Sequence, residues 1–157
     1  MKRLLMTELI SNRFVLPVRV YIEDTDAGGI VFHANYLNYM ERARTEWLRS
    51  HGIGLRAGLA DNVSYVVQRM ELYYRAPAKL DDMLEVRAVP ISFGRVWMKF
   101  REQVVRQCDQ KLLCEASVTV ACVTMDTGRP QRLPANMTSL LEQQVQWGES
   151  LQSAKLL

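Results

Sequence analysis

The sequence predicts an α+β fold in a single domain, one long α-helix wrapped by a curved antiparallel β-sheet. Three observations lead there. Residues 35–51 carry the strongest helical period in the chain, four strand-like stretches follow it across short turns, and one further strand precedes it. Strands joined by short turns pair antiparallel, and a helix with one apolar face needs a sheet to lie on. A length of 157 residues suits one domain with a sizeable core, and neither a repeat nor a linker divides it.

Residues 15–21 read as the first strand, with Val18, Val20 and Ile22 facing one way and Arg19 and Tyr21 the other. Residues 23–29, Glu-Asp-Thr-Asp-Ala-Gly-Gly, break that pattern with turn formers. In the helix, Tyr36, Met40, Ala43 and Trp47 recur at spacings of four, three and four, with Leu37 and Leu48 beside them. Glu41, Arg42, Arg44, Thr45, Glu46 and Arg49 supply the polar complement. Asn35 is the expected N-cap and Gly52 the expected stop. A glycine-punctuated link, residues 52–60, has room for one short helical turn.

The four strands that follow are expected over residues 63–74, 83–92, 95–106 and 112–125. In the third, Val96, Met98 and Phe100 alternate with Arg95, Lys99 and Arg101, the mark of a half-buried strand. Pro77 with Asp81-Asp82, then Gly94, then Asp109-Gln110 mark the turns, and Asp126-Thr127-Gly128-Arg129-Pro130 closes the last strand. From Pro134, through Leu140, Leu141 and Val145, a shorter C-terminal helix is expected. The domain thus covers 1–157, with its core at about 15–134 and the C-terminal helix at about 134–150.

Hydrophobic residues at 48% and charged ones at 24% are ordinary for a globular protein and exclude a disordered chain. A net charge of +3 suits an anionic small molecule, but no dense basic stripe points to nucleic acid. No apolar run approaches the ~20 residues that span a bilayer. Near the start, Leu4-Leu5-Met6 follows Lys2-Arg3 and is cut short by Thr7 and Glu8, too little for a secretory leader. The expected address is cytoplasmic. Cys108, Cys114 and Cys122 lack the spacing of a zinc site or disulfide framework and read as buried reduced thiols. No metal or other cofactor is expected.

The chemistry concentrates between the first strand and the helix. Asp24 and Asp26 precede Gly28-Gly29, whose freedom allows tight backbone geometry and close approach of a ligand. The helix start just beyond presents unpaired N–H groups and a partial positive charge. A carboxylate facing such amides suits acyl transfer, attacking or activating water while the amides stabilise an oxyanion. Asp-Thr-Asp before Gly-Gly is also common turn chemistry, so the pattern alone leaves both readings open.

The stretch E-D-T-D-A-G-G-I-V-F-H-A-N-Y, with the following Y-M-E-R-A-R-T-E, resembles the signature of the YbgC-type acyl-CoA thioesterases. These belong to the 4-hydroxybenzoyl-CoA thioesterase branch of the hot-dog superfamily. Residues 73–82 and 130–134 add to a resemblance spanning about 17–134. It implies a hot-dog fold, hydrolysis of short- to medium-chain acyl-CoA, and Asp26 as the nucleophile or general base. It implies further that the backbone N–H of His33 polarises the thioester carbonyl. Ala27 and His33 stand where the 4-hydroxybenzoyl enzymes carry proline and tyrosine, so the subgroup acting on short aliphatic acyl-CoAs is the closer match.

The His33 ring either lines the pocket or simply satisfies its own polar atoms at the helix start. Glu41 lies where a different hot-dog branch places its catalytic carboxylate, and it is the backup to Asp26; pairing with a nearby arginine is the commoner role. Tyr36, Tyr39, Met40 and Trp47 read as core and interface. Arg69, Arg75 and Lys79 are the basic residues for coenzyme A phosphates. The resemblance also implies a homo-oligomer, a dimer or a tetramer of paired dimers, and acyl carrier protein as a second acyl donor or partner. The alternative is a scaffold that binds acyl carrier protein or lipid-synthesis enzymes beside the Tol-Pal envelope system. A dehydratase would need a His–carboxylate pair across the pocket, and His33 and His51 are the only histidines.

Overall fold

The computed structural model describes residues 14–153, with side chains placed through residue 145; the expectation drawn from the first residues lies outside that range. In chain order the elements are β1 (Phe14–Arg19), α1 (Asn35–Ser50), α2 (Leu55–Ala60), β2 (Val63–Tyr74), β3 (Met83–Phe93), β4 (Trp97–Arg106), β5 (Lys111–Thr124) and α3 (Ala135–Ser153). The five strands form one sheet in the order β1-β3-β4-β5-β2, every neighbouring pair antiparallel. Edge strands β1 and β2 are therefore the first two made. No described helix is long and apolar enough to cross a membrane.

Alternation along β4 sends Met98, Phe100 and Val104 to the face that α1 covers, and all are buried. From α1 come Tyr36, Tyr39, Met40, Ala43, Trp47 and Leu48. Trp47 meets Phe100 edge-on, with ring centroids 5.2 Å apart. Met137 and Leu141 of α3 join the same cluster, so the C-terminal helix contributes to the core.

Helix α1 stops where expected. Gly52 adopts φ +78°, its N–H donates to Arg49 O at 3.0 Å, and Ile53 N–H donates to Leu48 O at 3.0 Å. That pair of bonds is a Schellman motif, which a left-handed glycine makes cheaply. At the other end the N-cap is Ala34 rather than Asn35, and no side chain caps it. Asn35 spends its amide on Asp24 instead.

Three other expectations need correction. The first strand ends at Arg19, and Ile22 is 77% exposed because the chain turns through a 3-10 helix, Ile22–Asp24, instead of continuing the alternation. Arg44 belongs to the interior and not to the polar face, with its charge met by Glu102. Cys108 is exposed, whereas Cys114 and Cys122 are buried free thiols, and burial pushes Cys114 up to about 12.

Candidate active site

The loop between β1 and α1 is held from both sides. Val20 N–H donates to Asp82 O at 2.9 Å and Asp81 N–H returns to Val20 O at 3.0 Å. Further on, Val31 N–H donates to Ala78 O at 2.9 Å. The connection between β2 and β3 thus forms a rail along which the acidic-glycine stretch is laid.

Asp24 closes this loop. Its Oδ2 accepts from Tyr21 N–H at 2.8 Å, its Oδ1 from Asn35 Nδ2 at 2.8 Å, and its carbonyl from Phe32 N–H at 2.9 Å. The buried Tyr39 hydroxyl faces the same carboxylate without a hydrogen bond, and burial followed by the Asp24 charge raises its pKa.

Asp26 opens a tight turn, accepting from Gly29 N–H at 3.0 Å, while its own N–H donates to Ile30 O at 2.9 Å. Gly29 takes φ +75°, and a Cβ at Gly28 would press on Asp26 Oδ1 at 3.1 Å. Asp26 Oδ1 accepts from Gly28 N–H at 2.8 Å. Its Oδ2 has no hydrogen-bond partner among the described residues, and the side chain is exposed. One oxygen is fixed and the other is free.

His33 lies just ahead of α1. Its carbonyl accepts from the Tyr74 hydroxyl at 2.8 Å, and Tyr74 is at the end of β2. Local desolvation, and then Cys114, raise the Tyr74 pKa. Among the described residues no carbonyl accepts the His33 N–H, so it remains available at the positive end of the helix. The imidazole packs against Phe32 with the rings tilted, centroids 4.5 Å apart. A cleft of about 340 Å³ opens beside it between Ile30, Val31, Tyr36, Tyr74 and Pro77; Asp26 is outside the residues that line it. The Tyr36 hydroxyl supports the cleft from below, accepting from Ala78 N–H at 3.1 Å.

Of the other residues singled out from sequence, Glu41 accepts from Arg44 Nη2 at 2.6 Å, and that same arginine reaches Glu102. Arg69 pairs with Glu71, and Arg75 pairs with Glu115 while lying over the Tyr73 ring. Lys79 bridges through its main chain to Ile30. Among the described residues no three His, Cys, Asp or Glu side chains converge as a metal site. Sequence reasoning expected Tyr36 in the core, where it lies, and missed the reach of its hydroxyl and of the Tyr74 hydroxyl, which act across long sequence separations that no local pattern reveals.

Comparison with known proteins follows the same line. A family model described as a thioesterase-like superfamily matches residues 20–143. An acyl-CoA thioester hydrolase YbgC of Escherichia coli O157:H7 is 44% identical over 130 residues, covering 83% of this chain and 96% of that protein. The acyl-CoA thioesterase YbgC of Haemophilus influenzae is 39% identical over 127 residues, 80% of this chain and 92% of its own. A solved 1,4-dihydroxy-2-naphthoyl-CoA thioesterase from Synechocystis shares the fold, with a TM-score of 0.77 at 20% identity, over 83% of this chain and 96% of that one.

Proposed function

The chain belongs to the YbgC acyl-CoA thioesterases of the thioesterase-like superfamily, hot-dog enzymes that hydrolyse acyl-CoA thioesters, and we propose that it does so with Asp26 as the working carboxylate. The observation that carries this reading is the free Oδ2 of Asp26, a carboxylate whose Oδ1 accepts from Gly28 N–H, in the loop that leads to the uncommitted His33 N–H. Water and thioester become carboxylic acid and thiol. Asp26 either attacks the carbonyl, forming an anhydride that water then opens, or takes a proton from the attacking water. The carbonyl oxygen gathers negative charge in both routes, and the His33 N–H with the helix dipole stabilises it. Thiolate leaves readily, so no metal is required.

The acyl range belongs to the same proposal: short- to medium-chain aliphatic groups, carried by coenzyme A or by acyl carrier protein, at a cytoplasmic address. The cleft between His33 and Tyr74 is apolar enough for the pantetheine arm, and Arg75, which lines it, offers a cation to phosphate. Asp26 stands exposed in the single chain, and the unpaired β2 edge carries exposed Val66, Val67, Tyr73 and Tyr74. A second copy paired along that edge would exclude water from the site. Glu41, already bonded to Arg44, is kept as a reserve carboxylate only.

The test is thiol release from a panel of acyl-CoAs. Asp26→Asn is nearly isosteric but can neither attack nor take a proton, so turnover should fall at least ~10²-fold with the fold intact. Asp24→Asn should cost far less activity. Near-wild-type turnover in the Asp26 variant would remove it from the mechanism, and a wild type that releases thiol from no acyl-CoA would favour the scaffold alternative.

A further inference from the structure

A second, narrower cleft of about 50 Å³ lies between α1 and strands β4, β5 and β2. Its walls are apolar: Leu48, Leu55, Val67, Phe100 and Val120. Arg44, Glu41, Thr45 and Tyr65 also line it, and neither the Thr45 nor the Tyr65 hydroxyl has a hydrogen-bond partner among the described residues. Behind Arg44 stands Glu102, fully buried, accepting from Nη1 at 2.8 Å and 3.0 Å. The cross-strand neighbours of Glu102 are Ala88 and Ala116, small residues that leave a niche for the ion pair.

A leucine would fill that niche, and a buried ion pair rarely repays the desolvation of both its charges. Burial raises the Glu102 carboxyl above its ordinary value even though Arg44 pulls it down. The pair therefore calls for a reason besides packing, and its position supplies one. It gives an apolar cleft a hydrogen-bonding end.

We propose that this cleft receives the far end of the acyl group and selects acyl thioesters whose far end bears an uncharged hydrogen-bonding group, such as a hydroxyl, over plain alkyl chains. The inference rests on the reading above, with the reacting carbonyl at the N-terminus of α1. Glu41 lies two helical turns beyond His33, about 12 Å at 1.5 Å per residue, a distance that a medium-length acyl chain spans. A terminal carboxylate would bring a third acid to an arginine already shared by Glu41 and Glu102, and an ammonium would face the guanidinium. A bare methyl end would cover the Thr45 and Tyr65 hydroxyls without pairing them, which is the costly case. A neutral donor–acceptor satisfies them.

The experiment uses two thioethers that cannot be hydrolysed, S-octyl-CoA and S-(8-hydroxyoctyl)-CoA, titrated calorimetrically into the full-length protein. The hydroxy ligand should bind about tenfold more tightly to the wild type, the scale of one neutral hydrogen bond. Preference should shrink in the R44M/E102L double variant and in Tyr65→Phe, whose side chain is only half-buried. Equal or tighter octyl binding by the wild type, or a preference unchanged in Tyr65→Phe and the double variant, overturns the proposal. If neither thioether binds while acetyl-CoA is hydrolysed, the cleft is no part of the acyl site and the hydrolase reading stands. Preferential binding of the hydroxy ligand with no thiol release from any acyl-CoA overturns the hydrolase reading and leaves the selectivity intact.

Discussion

In the acidic loop, the two aspartates differ in how many donors they already satisfy. Both oxygens of Asp24 are taken, by Tyr21 N–H and Asn35 Nδ2, so its carboxylate works as a clasp joining the two ends of the loop. Asp26 has one oxygen anchored and one without a partner among the described residues. For His33 the relevant group is the backbone. His33→Ala keeps the N–H and leaves the carbonyl for Tyr74 to hold, so turnover should drop only modestly, and evenly from pH 5 to 9. Losing an oxyanion donor costs ~10²–10³ in turnover; a fall of that size, together with a lost limb of the pH profile, would make the imidazole an acid–base partner of Asp26. The site's composition was legible, because turn formers between a strand and a helix stand out in any chain. Its supports were not: Tyr74 reaches His33 from 41 residues away.

Among the elements, the strands from β2 onward were legible nearly to the residue, because alternation and turn residues agree with each other there. Ile22 was misplaced because the alternation rule was carried two residues past the point where Val20 turns to meet Asp82. Glu102 was overlooked despite a readable signal, since it falls on the inward phase of β4 between Phe100 and Val104. Strand β2 carries the assembly prediction. Its outer edge has no partner in the single chain, and Val66 is 43% exposed there. By sedimentation the wild type should be a dimer or larger at micromolar concentration, and Val66→Asp should shift it toward monomer by placing like charges at the seam. A monomeric wild type would overturn the paired-edge arrangement.

At the scale of the whole molecule, Arg44 and Glu102 join the helix to the middle of the sheet through the core. Removing one partner strands the other: Arg44→Met should destabilise by ~3–5 kcal/mol in chemical denaturation, whereas R44M/E102L should be near neutral or more stable. Equal losses in both variants would mean that the pair itself stabilises the fold. The strand order has a consequence for a chain still leaving the ribosome. Neither β1 nor β2 pairs with a neighbour made close in time, since β1 waits for β3 and β2 for β5, while the central strand β4 is the fourth produced. At about 5–20 residues per second those waits last seconds. The nascent chain therefore builds its sheet from the β1 edge across β3 and β4, and β2 stays bare, with the first helices as cover, until β5 arrives last.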